Sequence, residues 1–505
     1  MFELKNLSKY FGSVIANEDI SLKINEGEIL ALLGENGSGK TTLMNMLAGL
    51  YFPDSGQIFH EGEEIVIKSP KDASDHGIGM IHQHFKLVDL LTAAENVILG
   101  LNKGFLLDRE KIEQEIKEVA DMYGFNIDPK KKVYNMTVSE KQTLEIVKVL
   151  YRGANLLILD EPTAVLTPQE AKQLFKALQR LKERGKAIVL ITHKMNEVLE
   201  VSDNIAVLRK GRLVARLDTK DATELKLAEL MVGEKVSLNI KRSKVKDPVL
   251  RLEIRNLSVK NLYGRTVLDD VSFDAYGGEI LGIAGISGSG QKELLEAIAG
   301  LEHAQKGSDI TYYHPKHNEV KLIGKSPLQI KRLGISLSFV PEDRLGMGLV
   351  GSMGMVDNVL LRTYDETPNF YKNRKRAKKI AKEIKDELAV STPSEDTAVQ
   401  TLSGGNVQKV LVGREIANNP IVFMTAYAVR GLDINTSYVI YDILNKQKEA
   451  GVAVIYVGED LDVLLALSDK ILVLSNGSIS KPLDPKKVTK EEIGLLMTNK
   501  MVKES

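Results

Sequence analysis

Short, wholly apolar runs punctuate the chain. Ile29–Leu33, Leu156–Leu159 and Ala187–Ile191 are too short for core helices and lack polar alternation, so each predicts a strand buried on both faces. Further strands are predicted around Phe2–Leu7 and Ser21–Ile24. A glycine-rich stretch follows Ile29–Leu33, and a helix is expected to start near Lys40. The region around Arg109–Tyr123 is rich in helix formers, and alternating helices and apolar strands follow it. Strand, glycine loop, helix and then buried parallel strands describe an α/β nucleotide-binding domain.

The pattern occurs twice. Asn6-Leu7-Ser8 returns as Asn256-Leu257-Ser258, Gly27–Leu30 as Gly278–Leu281, and Ala48–Leu50 as Ala299–Leu301, the last two pairs at the same spacing. Each copy closes on a similar segment, Glu229–Gly233 and Gly494–Thr498. So long a period means duplicated domains rather than a solenoid. The expected division is a first domain over 1–233, a linker over 234–248, a second domain over 249–499 and a tail over 500–505. Lys241–Lys246 in the linker reads as a solvated charge run.

Composition narrows the class. A chain of 505 residues has room for two full cores. Its 68 basic residues balance 68 acidic ones, which argues against a general nucleic-acid-binding role. With no cysteine, disulfides, thiolate metal sites and cysteine nucleophiles are excluded. The first residues show no signal-peptide pattern, and no run approaches the ~18 apolar residues of a spanning helix. The expectation is a soluble chain that meets a membrane only through a partner.

Gly34–Thr41 fits the phosphate-loop pattern G-x-x-x-x-G-K-[ST]. Successive backbone N–H groups and a helix N-terminus can wrap phosphate oxygens, Lys40 would reach the β/γ-phosphates, and Thr41 would ligate Mg²⁺. The run Leu156–Leu159 delivers Asp160 and Glu161 to a strand end beside that loop. Asp160 is the expected Mg²⁺ ligand and Glu161 the expected general base.

These residues together resemble ABC-type ATPases, over nearly the whole chain. The fold so implied is two tandem ABC-type P-loop ATPase domains, each an α/β nucleotide-binding core with a helical subdomain. The resemblance implies that Gln83 senses the γ-phosphate and Mg²⁺, and that His193 contacts the γ-phosphate. It implies that Phe11 stacks on adenine, with Tyr10 as runner-up and core packing of Phe11 as the plain alternative. ATP would then be held by Phe11, by Gly34, Glu35, Asn36, Gly37, Ser38, Gly39, Lys40, Thr41 and Thr42, and by the signature segment Ser403, Gly404, Gly405 and Asn406. Mg²⁺ would be held by Thr41, Gln83 and Asp160. A metal pair at His82 and His84 lacks a third ligand in the sequence, and His314 and His317 lie in the stretch Tyr312-Tyr-His-Pro-Lys-His317, which reads as a surface loop.

The second half departs from this pattern. Gln291 and Lys292 replace the loop's Lys and Thr, Ala426 and Tyr427 replace the carboxylates, Gly458 is read as replacing the strand-end His, and Glu342 replaces the sensing Gln. The first half has lost the signature instead, with Met136–Glu140 in its place. Ser139 there puts a side chain where a glycine is expected, and Glu140 puts a carboxylate that would repel phosphate. In the family, each ATP site takes its signature from the opposite domain. One composite site therefore keeps every part and the other loses nearly all, so one working site is expected.

Tandem domains with a degenerate second half resemble the ATP-binding subunits of simple-sugar and nucleoside importers, and Gly77–Val88 and Asp160–Gln169 look closest to the nucleoside branch. That implies two transmembrane permease partners, an extracellular substrate-binding lipoprotein acting indirectly, and a peripheral place on the cytoplasmic face of the cell membrane. Phe85–Val97 is the expected permease contact, its apolar residues reading equally well as core. A ribose- or galactose-type importer is the nearest alternative. A soluble tandem ATPase acting on ribosomes would keep two working sites and a longer basic linker, and a DNA-repair ATPase would need a long coiled-coil insertion.

Overall fold

A computed structural model describes residues 1–498 apart from positions 13, 84, 102–107, 165, 236–238, 262, 287, 316–318, 340–343, 364–373, 418, 431 and 459. The chain divides into two compact units, Met1–Ser237 and Leu238–Ser505. Each contains a four-stranded antiparallel sheet and a six-stranded, mostly parallel one, in the same strand order.

In the first unit the large sheet runs Arg212–Asp218, Asn204–Arg209, Ile29–Leu33, Ala187–Thr192, Leu156–Asp160, Ile78–Ile81. Ile29–Leu33 is paired on both sides by parallel strands and every residue in it is buried, as a run without polar alternation requires. In the second unit Ile280–Ala284 occupies the same place, between Ala453–Val457 and Lys470–Ser475. The small-sheet strands Phe2–Phe11 and Val14–Ile24 are longer than the apolar pattern indicated. They present a wet face, so charged residues such as Lys5 and Glu18 interrupt the apolar run without ending the strand.

The repeated Asn-Leu-Ser has a local cause. Asn6 and Asn256 both take φ 52, in the left-handed region that Asn tolerates better than most residues. The strand bulges there, and the Asn6 and Asn256 N–H groups donate to Ser21 Oγ and Ser272 Oγ at 3.0 and 2.9 Å. Leu7 and Leu257 point into the core, while Ser8 and Ser258 accept from the N–H of Asp19 and Asp270, each at 3.0 Å. Turn, core contact and cross-strand bond thus occupy three consecutive residues in both copies.

Helices pack around each large sheet. Pro168–Glu183 begins with a capping box, in which Thr167 and Glu170 each satisfy the other's backbone N–H. Its Leu174, Leu178 and Leu181 lie on one face and are buried, each contributing about 1.5–3 kcal/mol of apolar burial. Ala93–Ile98, Arg109–Met122 and Val138–Tyr151 form the helical part of the first unit. Met355–Thr363, Arg374–Glu387 and Gly404–Ile416 are their counterparts, with a core of their own.

Two expectations change. The basic linker run is not wholly solvated, because Arg242 donates to the Ser468 carbonyl at 2.7 Å and the Ser243 carbonyl accepts from Lys448 Nζ at 2.6 Å. Tyr312 and Tyr313 end the strand Asp309–Tyr313 rather than lying in a surface loop, and Tyr312 is fully buried with its hydroxyl on the Leu333 carbonyl. His314 follows that strand, and His317 lies outside the described residues.

Lys448 is buried against Asp469 at 2.7 Å, whereas the corresponding pair in the first unit, Lys182–Asp203, is partly exposed. Removing one partner of a buried pair leaves the other charge uncompensated. Lys448→Ala should therefore cost about 3–5 kcal/mol in denaturant unfolding of the second unit. Lys182→Ala should cost no more than about 1 kcal/mol.

Candidate functional site

Three parallel strands bring the candidate residues together. Leu33 pairs with Thr192 and Asp160 with Ile191, so the ends of the three strands stand level. From those ends the chain continues into the loop Gly34–Gly39, into Glu161 and into His193. Strand carboxyl ends are where open α/β sheets bind ligands.

The loop needs its glycines. Gly37 and Gly39 have φ of 80° and 98°, and a Cβ on Gly39 would collide with the Ala16 carbonyl. Gly39 is the N-cap of the helix Lys40–Leu47, so the loop runs directly into a helix N-terminus. Asn17, fully buried, donates to the Gly39 carbonyl at 3.2 Å. Sequence reading missed Asn17; its signal is a buried amide in a strand of otherwise apolar inward positions.

Lys40 is 6% exposed, and its ammonium donates to the Gly34 and Glu35 carbonyls at 2.7 and 2.9 Å. Burial lowers its pKa, opposed by the charges of Glu161, Asp160 and Glu35. Thr41 Oγ1 donates to Asp160 Oδ2 at 3.2 Å. Burial raises the Asp160 pKa, helped by the nearby Glu161 charge and opposed by Thr41 and Lys40. A buried carboxylate crowded by a second one, with a hydroxyl beside it, is a donor set suited to a hard divalent cation.

Glu161 has φ 46, and its N–H donates to the Ile191 carbonyl at 2.9 Å. His193 Nδ1 and Glu161 Oε1 lie 2.6 Å apart. Burial pushes the Glu161 pKa up, but the His193 hydrogen bond and the charges of His193, Lys40 and Lys194 bring it below the usual carboxyl value. Glu161 therefore stays ionised at neutral pH and can accept a proton.

The family description "ABC transporter" matches residues 17–164 and 268–425. The chain belongs to the ABC transporter family. It is 41% identical to the guanosine import ATP-binding protein NupO of Bacillus subtilis, over 100% of this chain and 98% of that protein. It is 38% identical to the nucleoside import ATP-binding protein NupA of Lactococcus lactis, over 100% and 99%. It is 39% identical to the glucose import ATP-binding protein TsgD13 of Haloferax volcanii, over 98% and 95%.

Against this family frame the second unit keeps the backbone and loses the charge. Gly288 and Gly290 repeat the loop's positive φ, at 85° and 111°. Gln291, 2% exposed, donates to the Ile286 carbonyl at 3.0 Å, the contact Lys40 makes with Glu35, but through a neutral amide. Ala426 is buried where Asp160 stands, and Leu268 packs by Gly290 where Asn17 holds Gly39. Tyr427 repeats the left-handed backbone of Glu161, with φ 54.

The strand pairing corrects one match. One interval relates Asp160 to Ala426, Ile191 to Val457 and Met195 to Leu461. It pairs Gly458 with Thr192 and puts position 459 opposite His193. Position 459 lies outside the described residues, as do Glu342 and His84.

The two signature segments also differ physically. Ser403 caps the helix Gly404–Ile416, and its Oγ accepts from Asn406 Nδ2 at 2.8 Å. Thr137 caps Val138–Tyr151 in a capping box with Glu140. The Glu140 carboxylate accepts from Thr137 N–H at 2.7 Å and from Lys131 Nζ at 2.7 and 2.9 Å, so the charge expected to repel phosphate is countered within its own unit. Gln83 is exposed in the loop after Ile78–Ile81, and the hydrogen bonds of the Lys40–Glu161 cluster do not include it. Phe11 is 43% exposed and meets Tyr51 edge-on at 5.3 Å, so it is a surface aromatic and not a core residue.

Because His193 helps hold the Glu161 pKa down, His193→Ala should raise it. The acid limb of residual turnover should then move to higher pH, measured as a pH–rate profile of the full chain.

Proposed function

We propose that the chain is the ATP-hydrolysing subunit of an importer for nucleosides, with hydrolysis at the Lys40–Asp160–Glu161 site. The observation that carries the reading is Glu161, ionised, hydrogen-bonded to His193 and beside Lys40, in a chain whose duplicate has kept the frame and lost the charges. The loop N–H groups, the helix N-terminus and Lys40 bind the phosphates. Phe11 offers its exposed face to the base. Thr41 and Asp160, with Gln83, would hold Mg²⁺, which neutralises phosphate charge when bound. Glu161 accepts the proton of the attacking water, and His193 keeps the Glu161 carboxylate in place.

Turnover also depends on the helix start Ser403–Asn406, on the sequence argument that the intact signature belongs with the intact phosphate loop. Glu161→Gln should cut ATP turnover of the full chain about 10²–10⁴-fold with ATP binding retained. Ser403→Arg should abolish turnover as well. Near-normal turnover in Glu161→Gln would remove Glu161 from its role.

Two transmembrane permeases are the partners inferred, with an extracellular substrate-binding lipoprotein feeding them and this subunit peripheral at the cytoplasmic face. No helix among the described residues is long and apolar enough to cross a membrane. The docking segment follows Gln83. Val88 and Leu90 are exposed there, Leu90 at 76%, while Ala93, Ala94 and Val97 are core. Buried Asn96 ties this loop down through Val88 N–H, Val88 C=O and Thr92 C=O. Asn358 does the same around Val350 in the second unit.

In cells deleted for this chain, uptake of labelled guanosine should fall and return with the intact sequence. Leu90→Arg should fail to restore uptake while basal ATP turnover stays normal. The glucose-import relative favours a second reading of the cargo. Loss of labelled glucose or ribose uptake with guanosine uptake intact would decide for it.

A further inference from the structure

A polar trio, two of its members buried, joins the segments that carry Glu161 and His193. Thr163 Oγ1 donates to Glu197 Oε2 at 2.6 Å. Lys194 Nζ donates to Glu197 Oε1 at 3.0 Å and lies 3.4 Å from Thr163 Oγ1. Thr163 stands two residues past Glu161, Lys194 is the neighbour of His193, and Glu197 lies in the first turn of the helix Met195–Val201. Thr163 and Glu197 are both buried.

The second unit has the same backbone without the trio. The interval that matches Asp160 to Ala426 puts Val429, Asp460 and Val463 at these three positions. Asp460 serves its own helix there, accepting from the N–H groups of Asp462 and Val463. The strand-end contact is unchanged, since Tyr427 N–H donates to the Val457 carbonyl at 2.9 Å as Glu161 N–H does to Ile191. The left-handed turn is also retained. This fold therefore forms without the polar trio, and burying a carboxyl group carries a desolvation penalty. The trio is present in the unit that has the Glu161–His193 pair.

We propose that Thr163, Lys194 and Glu197 form a positioning brace. Glu197 grips one residue from each segment and so holds Glu161 and His193 at hydrogen-bonding distance. None of the three touches reacting atoms, and all act through the pair. The inference rests on Glu161 and His193 being the catalytic pair. A small misplacement of such groups is expensive in rate, because the reaction needs a near-attack geometry.

The test is steady-state ATP turnover of the full chain, with Glu161→Gln as the reference. Thr163→Val, and the double variant Thr163→Val/Glu197→Val that copies the second unit at two of the three positions, should each lower kcat about tenfold or more with the KM for ATP within about twofold, the pattern of a lost transition-state interaction. Thr163→Ser keeps the hydroxyl and should restore kcat. Normal kcat in Thr163→Val beside an inactive Glu161→Gln would overturn the brace and spare the catalytic pair. Equal damage from Thr163→Ser and Thr163→Val, or a raised KM with kcat unchanged, would also overturn it. An active Glu161→Gln would overturn the catalytic pair itself. Should Thr163→Val not fold, Glu197→Val alone carries the same comparison of kcat with KM.

Discussion

Three buried parallel strands held in one register fix where every charge of the site can stand. Leu33, Asp160 and Thr192 end level because hydrogen-bonded pairing leaves no freedom to slide, and a one-residue slip would turn each side chain to the opposite face. The loop, Glu161 and His193 are what the chain does immediately past those ends, and Asp160 is the last residue of its strand. Strand interiors that are wholly apolar cannot hold these groups, so the charges collect at the rim.

The two units test this constraint within one polypeptide. Strand order, loop backbone, the left-handed residue after the second strand and the Asn-Leu-Ser bulge all survive in the second unit, while the charges do not. Lys40, Asp160 and Glu161 are buried or nearly so, where each charge is costly unless its neighbours compensate. Gln291 and Ala426 relieve that cost without disturbing the frame. The first unit retains an electrostatically expensive cluster that the fold does not require, the signature of groups kept for chemistry.

Polar side chains elsewhere carry specific structural tasks. Glu140 completes a helix cap and pairs with Lys131. Asn96 and Asn358 hold equivalent loops in both units: the second unit has lost the charges at the strand ends and kept the loop anchor. Thr163, Lys194 and Glu197 follow the charges instead.

The duplication, the parallel-strand core, the phosphate loop and the asymmetry between halves are legible along the chain, because each is written in short contiguous patterns. Ile29–Leu33 and Gly34–Thr41 declare themselves by local periodicity and by backbone demands that glycine alone meets. Whatever depends on distant segments meeting came from the folded chain. It joined His193 to Glu161, placed Asn17 under Gly39, exposed Phe11 and Leu90, and buried Tyr312. It also moved the counterpart of His193 from Gly458 to position 459, because strand pairing, not motif spacing, sets that register. Burial and pairing across tens of residues are properties of packing, and no local run of side chains encodes them.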